Sequence, residues 1–193
     1  MTLRGVGSSQ ASIEIDVVEQ EAAHRVGYDL DPASSVVLIE ARSTVGPIEF
    51  ATSELTGFGS VAVDQSGDLD FGDSPEAVVQ LRVEALTSGN ALYDAEVRRR
   101  LDARRYPTIT ARLLRARAVG RRWALEAEIT IHGTTRVMSC AADVETVNDN
   151  VIRIHGSHVV DMRDFAISVP SVLMLRIYPD VTVRCRIDAV KRS

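Results

Sequence analysis

His155 and His158 are the first residues in this chain that could do chemistry, since two imidazoles three positions apart suggest metal ligation or proton transfer. On a strand, however, that spacing puts the two rings on opposite faces, and only a bulge at Gly156 would let them share an ion. Cys140 and Cys185 have neither metal-ligand spacing nor a third thiol, and both fall on the apolar face of their segments, where a thiol behaves as a small hydrophobe. Asp161 and Asp164 stand three apart, but nothing beside them completes an acid/base set. There is no G-x-S-x-G, no phosphate-binding P-loop and no G-x-G-x-x-G. These residues point to no catalytic group, no metal and no cofactor, and so to a binding protein, with a hydrolase or isomerase as the weakest alternative.

The 193 residues, 45% hydrophobic and 25% charged, suffice for one domain with a sizeable core. Apolar runs such as 169–175 are far shorter than the ~18 residues of a spanning helix. Residues 1–20 offer only Ile13-Glu14-Ile15-Asp16-Val17-Val18, broken by two acids, so no secretory leader is read and a cytoplasmic location is expected. A net charge of −5 and a pI near 5.4 argue against bulk nucleic-acid binding. Ten arginines nevertheless fall between Arg98 and Arg122. That field could touch anionic lipid headgroups or an acidic protein, although a solvated surface explains it as well.

The elements that must position these residues are short strands. Val37, Ile39 and Ala41 alternate with Leu38, Glu40 and Arg42; Val79, Leu81, Val83 and Ala85 with Gln80, Arg82 and Glu84. The same period of two runs through Ile109, Ala111 and Leu113, through Trp123 to Ile131, and through Val181, Val183, Cys185 and Ile187. Gln65-Ser66-Gly67-Asp68, Val119-Gly120-Arg121 and His132-Gly133-Thr134 suit reversals. Residues 91–103 break the pattern as a helix, with Leu92, Val97 and Leu101 on one face, acids early and arginines late, before Tyr106-Pro107 stops it. Residues 1–26 read as a tail or leader, with one edge strand open at Ile13, Ile15 and Val17; residues 27–193 read as one all-β domain, a sandwich or a barrel.

Four segments then resemble a known family. Residues 28–37 (YDLDPASSVV), 94–109 (DAEVRRRLDARRYPTI), 129–137 (ITIHGTTRV) and 160–167 (VDMRDFAI) are similar, in order, to the motifs of the YceI family. The resemblance implies a closed eight-stranded antiparallel β-barrel, lipocalin-like, with one α-helix capping an end. It also implies an isoprenoid or polyprenyl quinone-like chain held inside the barrel, and no catalysis. The chain departs from the family pattern at Ser34, Ser43 and Glu96, where the family commonly has histidine. Asp161 stands for its Asn, Ala166 for a Gly and Pro179 for a late Gly, so its headgroup contacts do not carry over unchanged.

An eight-stranded barrel is just wide enough to be filled by side chains or to hold one slim ligand. With aromatics at 5% and Ala41, Ala85, Ala111, Ala127, Cys140 and Ala142 on inward positions, an open lumen is favoured over a filled one. Its lining is expected to be Val37, Ile39, Phe58, Leu81, Val83, Ile109, Leu125, Ile129, Met138, Phe165, Ile167 and Val183. Glu96 is placed either at a ligand headgroup or in a pair with Arg99 or Arg100. The expected function is to bind, store or carry an apolar lipid chain. The rival is a ligand-free barrel that meets a protein or membrane surface through its arginine-rich helix face; pairing with a second copy stays open.

Overall fold

One apolar face per strand forces the sheet to curl until that face is covered. The computed structural model describes residues 24–63, 69–70, 76–168, 171–172 and 175–192. In chain order these hold β1 (His24–Leu30), β2 (Val36–Ser43), β3 (Gly46–Thr52), β4 (Leu55–Val63), β5 (Leu69–Asp70) and β6 (Glu76–Arg82). A 3-10 turn (Val83–Ala85), the helix α1 (Ala91–Arg100), β7 (Thr108–Val119), β8 (Arg122–Ile131), β9 (Thr134–Asn148) and β10 (Val151–Asp161) follow. A second 3-10 turn (Met162–Phe165), β11 (Ser171–Val172) and β12 (Leu175–Lys191) complete the series.

The wall runs β1-β4-β6-β7-β8-β9-β10-β12, every neighbour antiparallel, and β12 pairs back onto β1. Eight strands therefore close a barrel with one helix at its end. The 17-residue β12 serves two partners: Ala189–Lys191 pair with β1, while Ile177–Arg186 pair with β2. The β2–β3 hairpin thus extends the wall beyond β1 and β4. The ladder between β12 and β2 slips between Ile177 and Val181, around Pro179, which cannot donate to a ladder. A bulge between Leu113 and Arg115 absorbs Leu114, so Leu113 and Ala116 both keep the inward phase of β7.

The alternation read from sequence holds for β2, β7, β8 and β12, with differences elsewhere. Val83 and Ala85 do not continue β6 but form the 3-10 turn that leads toward α1. The helix ends at Arg100, short of residue 103, because Asp102 adopts a left-handed backbone (φ 45°) that no helix continues through. Leu92 is 79% exposed, in the first turn, and the inner face is carried by Tyr93, Val97 and Leu101. Asn90 caps α1, its side chain accepting from Leu92 N at 3.0 Å. His24 to Val26 already belong to β1 and pair with β4, so the barrel takes in residues on the tail side of position 27. The alternation at 13–17 and the turn at 65–68 lie outside the described residues.

Three of the family-like segments meet at the helix end. His132 and Gly133 both have positive φ (51° and 72°), as a tight hairpin turn needs. The Tyr106 ring rests on Gly133, where a Cβ would come within 2.8 Å of its Cζ. Tyr106 also meets the His132 ring edge-on at 5.1 Å, and His132 Nδ1 lies 3.4 Å from the Phe165 carbonyl oxygen. Phe165 is wholly buried in the same core as Leu55, Val83 and Leu86. Burying each such side chain is worth ~1.5–3 kcal/mol, so this lock anchors the closed end.

Candidate functional site: the barrel lumen

The inward faces leave two voids. One, of about 150 Å³, lies beneath α1. Ile39 and Ala41 of β2, Ile48 and Phe50 of β3, Ile109 of β7 and Val181 and Val183 of β12 wall it, while Tyr93 and Val97 of α1 and Leu101 just after the helix roof it. The other, of about 80 Å³, lies toward the opposite end among Tyr28, Leu30, Val61, Val79, Leu113, Ile154 and Ile187. Along β12, Cys185 stands between Ile187 of the far void and Val183 of the helix-end void, with Val37 across the ladder, and Leu81, Ile129 and Met138 point inward into the same core. The lumen is therefore apolar and divided by a layer of its own side chains.

The residues singled out in the sequence fall into separate places. Ile39, Ile109, Ile167 and Val183 line the helix-end void. Val37, Leu81, Ile129 and Met138 belong to the dividing layer, and Leu125 faces inward across from Cys140. Val83 and Phe165, 1% and 0% exposed, are solid core and leave no surface for a guest. Phe58 borders the far void, but by its register its side chain belongs to the outer face. It pairs with Asp29, is 43% exposed and carries the Arg192 guanidinium 5.8 Å above its ring. Glycines at 57 and 59 occupy the inward positions that flank it, so the bulky residue of that stretch is one step out of phase with the lumen. Tyr93, Ile48 and Phe50 line the helix-end void without having been expected there, although the helical spacing 93/97/101 and the alternation Ile48-Glu49-Phe50 both carry the signal.

Glu96 lines the helix-end void but is already engaged. It accepts from Arg99 Nε and Nη2 at 3.0 and 2.8 Å and from Arg100 Nε at 2.5 Å. Arg100 Nη1 in turn donates to the Ser168 carbonyl at 2.8 Å. The Arg99 guanidinium, with Arg100 behind it, holds the Glu96 carboxyl below the usual carboxylate range. Three of the eight other arginines of that field are likewise paired: Arg112 with Glu128, Arg115 with Glu126 and Arg122 with Asp143. Exposed pairs of this kind add little stability, but they leave less free charge for a partner.

Ser43, at a family histidine position, closes the β2–β3 turn by donating to the Gly46 carbonyl at 2.6 Å. Asp161 caps the second 3-10 turn through Arg163 N at 2.9 Å and binds the Arg163 guanidinium, which lowers its pKa. That is a structural corner. Burial pushes both the Cys140 and Cys185 thiols up, which makes them poor nucleophiles. His155 pairs across its ladders with Arg186 and Asp143 on the outer face, whereas His158 pairs with Val183 on the inner one. Among the described residues no group of three His, Cys, Asp or Glu side chains could hold a metal ion.

Comparison with known proteins agrees with this architecture. The YceI-like domain family profile matches residues 28–189. Among solved structures, BcnA of Burkholderia cenocepacia superposes with a TM-score of 0.69 at 17% identity, covering 83% of this chain and 99% of that one. A polyisoprenoid binding domain from Saccharophagus degradans, implicated in plant cell wall breakdown, gives 0.66 at 13% identity, covering 86% and 98%. A Campylobacter jejuni YceI protein gives 0.55 at 12% identity over the full length of both chains. At such identities the likeness establishes the fold alone. No curated protein matches the sequence.

Proposed function

The chain belongs to the YceI-like family, and from that premise we propose that it binds one apolar chain of isoprenoid type inside its barrel and does no chemistry on it. The observation that carries this reading is the helix-end void, about 150 Å³ walled almost wholly by aliphatic and aromatic side chains. A dry cavity of that size accepts a benzene-sized guest. A longer chain must therefore thread on toward the second void by displacing the dividing layer. Met138, unbranched and polarizable, is the side chain of that layer best able to move aside. Each methylene buried would contribute ~0.8 kcal/mol, so a chain spanning both voids gains enough to offset repacking and its own ordering. The polyisoprenoid-binding domain of similar fold supports the same ligand class.

Native mass spectrometry of protein purified without detergent tests the proposal. One bound apolar mass, or one-to-one uptake of added prenol, is expected. No adduct and no uptake of any prenyl lipid would remove it.

A further inference from the structure

Among the described residues, one imidazole stands on an inward strand face and has no role in the apolar lining. β10 runs in unbroken register with β12 from Val151 to Asp161, so its inward residues are Ile152, Ile154, Gly156, His158 and Val160. Ile154 lines the far void and Val160 the helix-end void. His158 therefore stands on the inner face at the level of the dividing layer, with Val183 across the ladder and Gly156 and Val160 along the strand. Its side chain is half-buried. Among the described residues neither a hydrogen bond nor an ion pair reaches its ring, in contrast to Glu96, whose carboxylate is held by two arginines.

An imidazole in an apolar lumen gives up hydration at a cost unless something there bonds to it. The neutral ring offers one donor and one acceptor, which suits an uncharged oxygen such as a hydroxyl or carbonyl. A phosphate fits poorly, because Val183 across the ladder and Gly156 and Val160 along the strand offer an anion no positive charge. Resting on the proposed isoprenoid binding, we infer that His158 is the residue that recognises the ligand's polar end. The ligand is then an oxygenated apolar chain, an alcohol or a quinone-type carbonyl, lying with its oxygen inside the barrel and not at the Glu96 mouth.

The experiment compares three C15 probes on the full chain: farnesol, the hydrocarbon farnesene and farnesyl phosphate. Wild type should bind the alcohol about five- to tenfold more tightly than the hydrocarbon, the range of one net hydrogen bond, and more tightly than the phosphate. His158→Leu should erase that preference, read as the ratio of alcohol to hydrocarbon affinity within the variant, while His158→Gln, which keeps a donor and an acceptor, should restore part of it. Thermal melting of both variants checks that each is folded, and the glutamine variant carries the comparison if leucine perturbs the barrel. Hydrocarbon and alcohol bound alike by wild type, or a preference that survives His158→Leu, would overturn the role of His158 while leaving apolar binding standing. A wild-type preference for the phosphate would overturn the ligand class. Failure of wild type to bind any of the three would refute both the binding proposal and this inference.

Discussion

Replacing Gly133 by alanine should destabilise the barrel through two separable effects, and the chain supplies its own control. Gly133 has φ +72°, where an L-residue's Cβ crowds the backbone at a cost of roughly 1–2 kcal/mol. Its new Cβ would also lie 2.8 Å from Tyr106 Cζ and 3.1 Å from Cδ1, so the ring or the turn must shift. Overpacking of this sort typically adds about 1–3 kcal/mol. Gly120, in the β7–β8 turn, has a similar φ of +62°, but a Cβ there would meet nothing within 4 Å. Gly120→Ala thus reports the backbone effect alone, about 1 kcal/mol, and Gly133→Ala should cost about 2–4 kcal/mol. Urea denaturation read by Trp123 fluorescence gives the midpoints, with equal slopes confirming a common unfolded state. In a Tyr106→Ala background the extra cost of Gly133→Ala should shrink to the Gly120 value. If the two glycine substitutions cost the same in the wild-type background, the Tyr106 ring does not rest on this turn and the lock at the closed end does not exist.

Ala166 is exposed and left-handed (φ 55°), so Ala166→Gly should stabilise the protein by about 1 kcal/mol and raise Tm by about 2–4 °C; an unchanged or lower melting temperature would contradict the strain. Asp188 is buried and bound at 2.8 and 2.7 Å by Arg153, which lowers its pKa. A carboxyl depressed in the folded state gives stability that is full above its unfolded pKa of ~3.9 and is lost as pH falls through the folded value. Acid titration should accordingly show a weaker loss of stability below pH ~4 in Asp188→Asn than in wild type, and parallel curves would deny the linkage. Ala41 walls the helix-end void, so Ala41→Phe should fill it and cut prenol uptake at least about tenfold without unfolding the chain; undiminished uptake in a folded variant would mean that the guest lies elsewhere.

Period-two alternation is enough to predict an all-β chain and most inward residues, because a strand's side chains flip faces at every step whatever surrounds it. Val37, Ile39, Ala111, Ile129 and Val183 are legible in that way, as is the reversal at His132-Gly133. Glu96 beside Arg99 and Arg100 is legible from helical spacing. Phe58 is not, since in Gly57-Phe58-Gly59 the large residue carries the hydrophobic signal while the bare positions face the core. Nor does a sequence show how far across the barrel two inward side chains reach. Division of the lumen into two voids, and the isolation of His158 between them, depend on contacts among strands far apart in the chain. Periodicity fixes which way a side chain points; only closure of the barrel decides what it meets there.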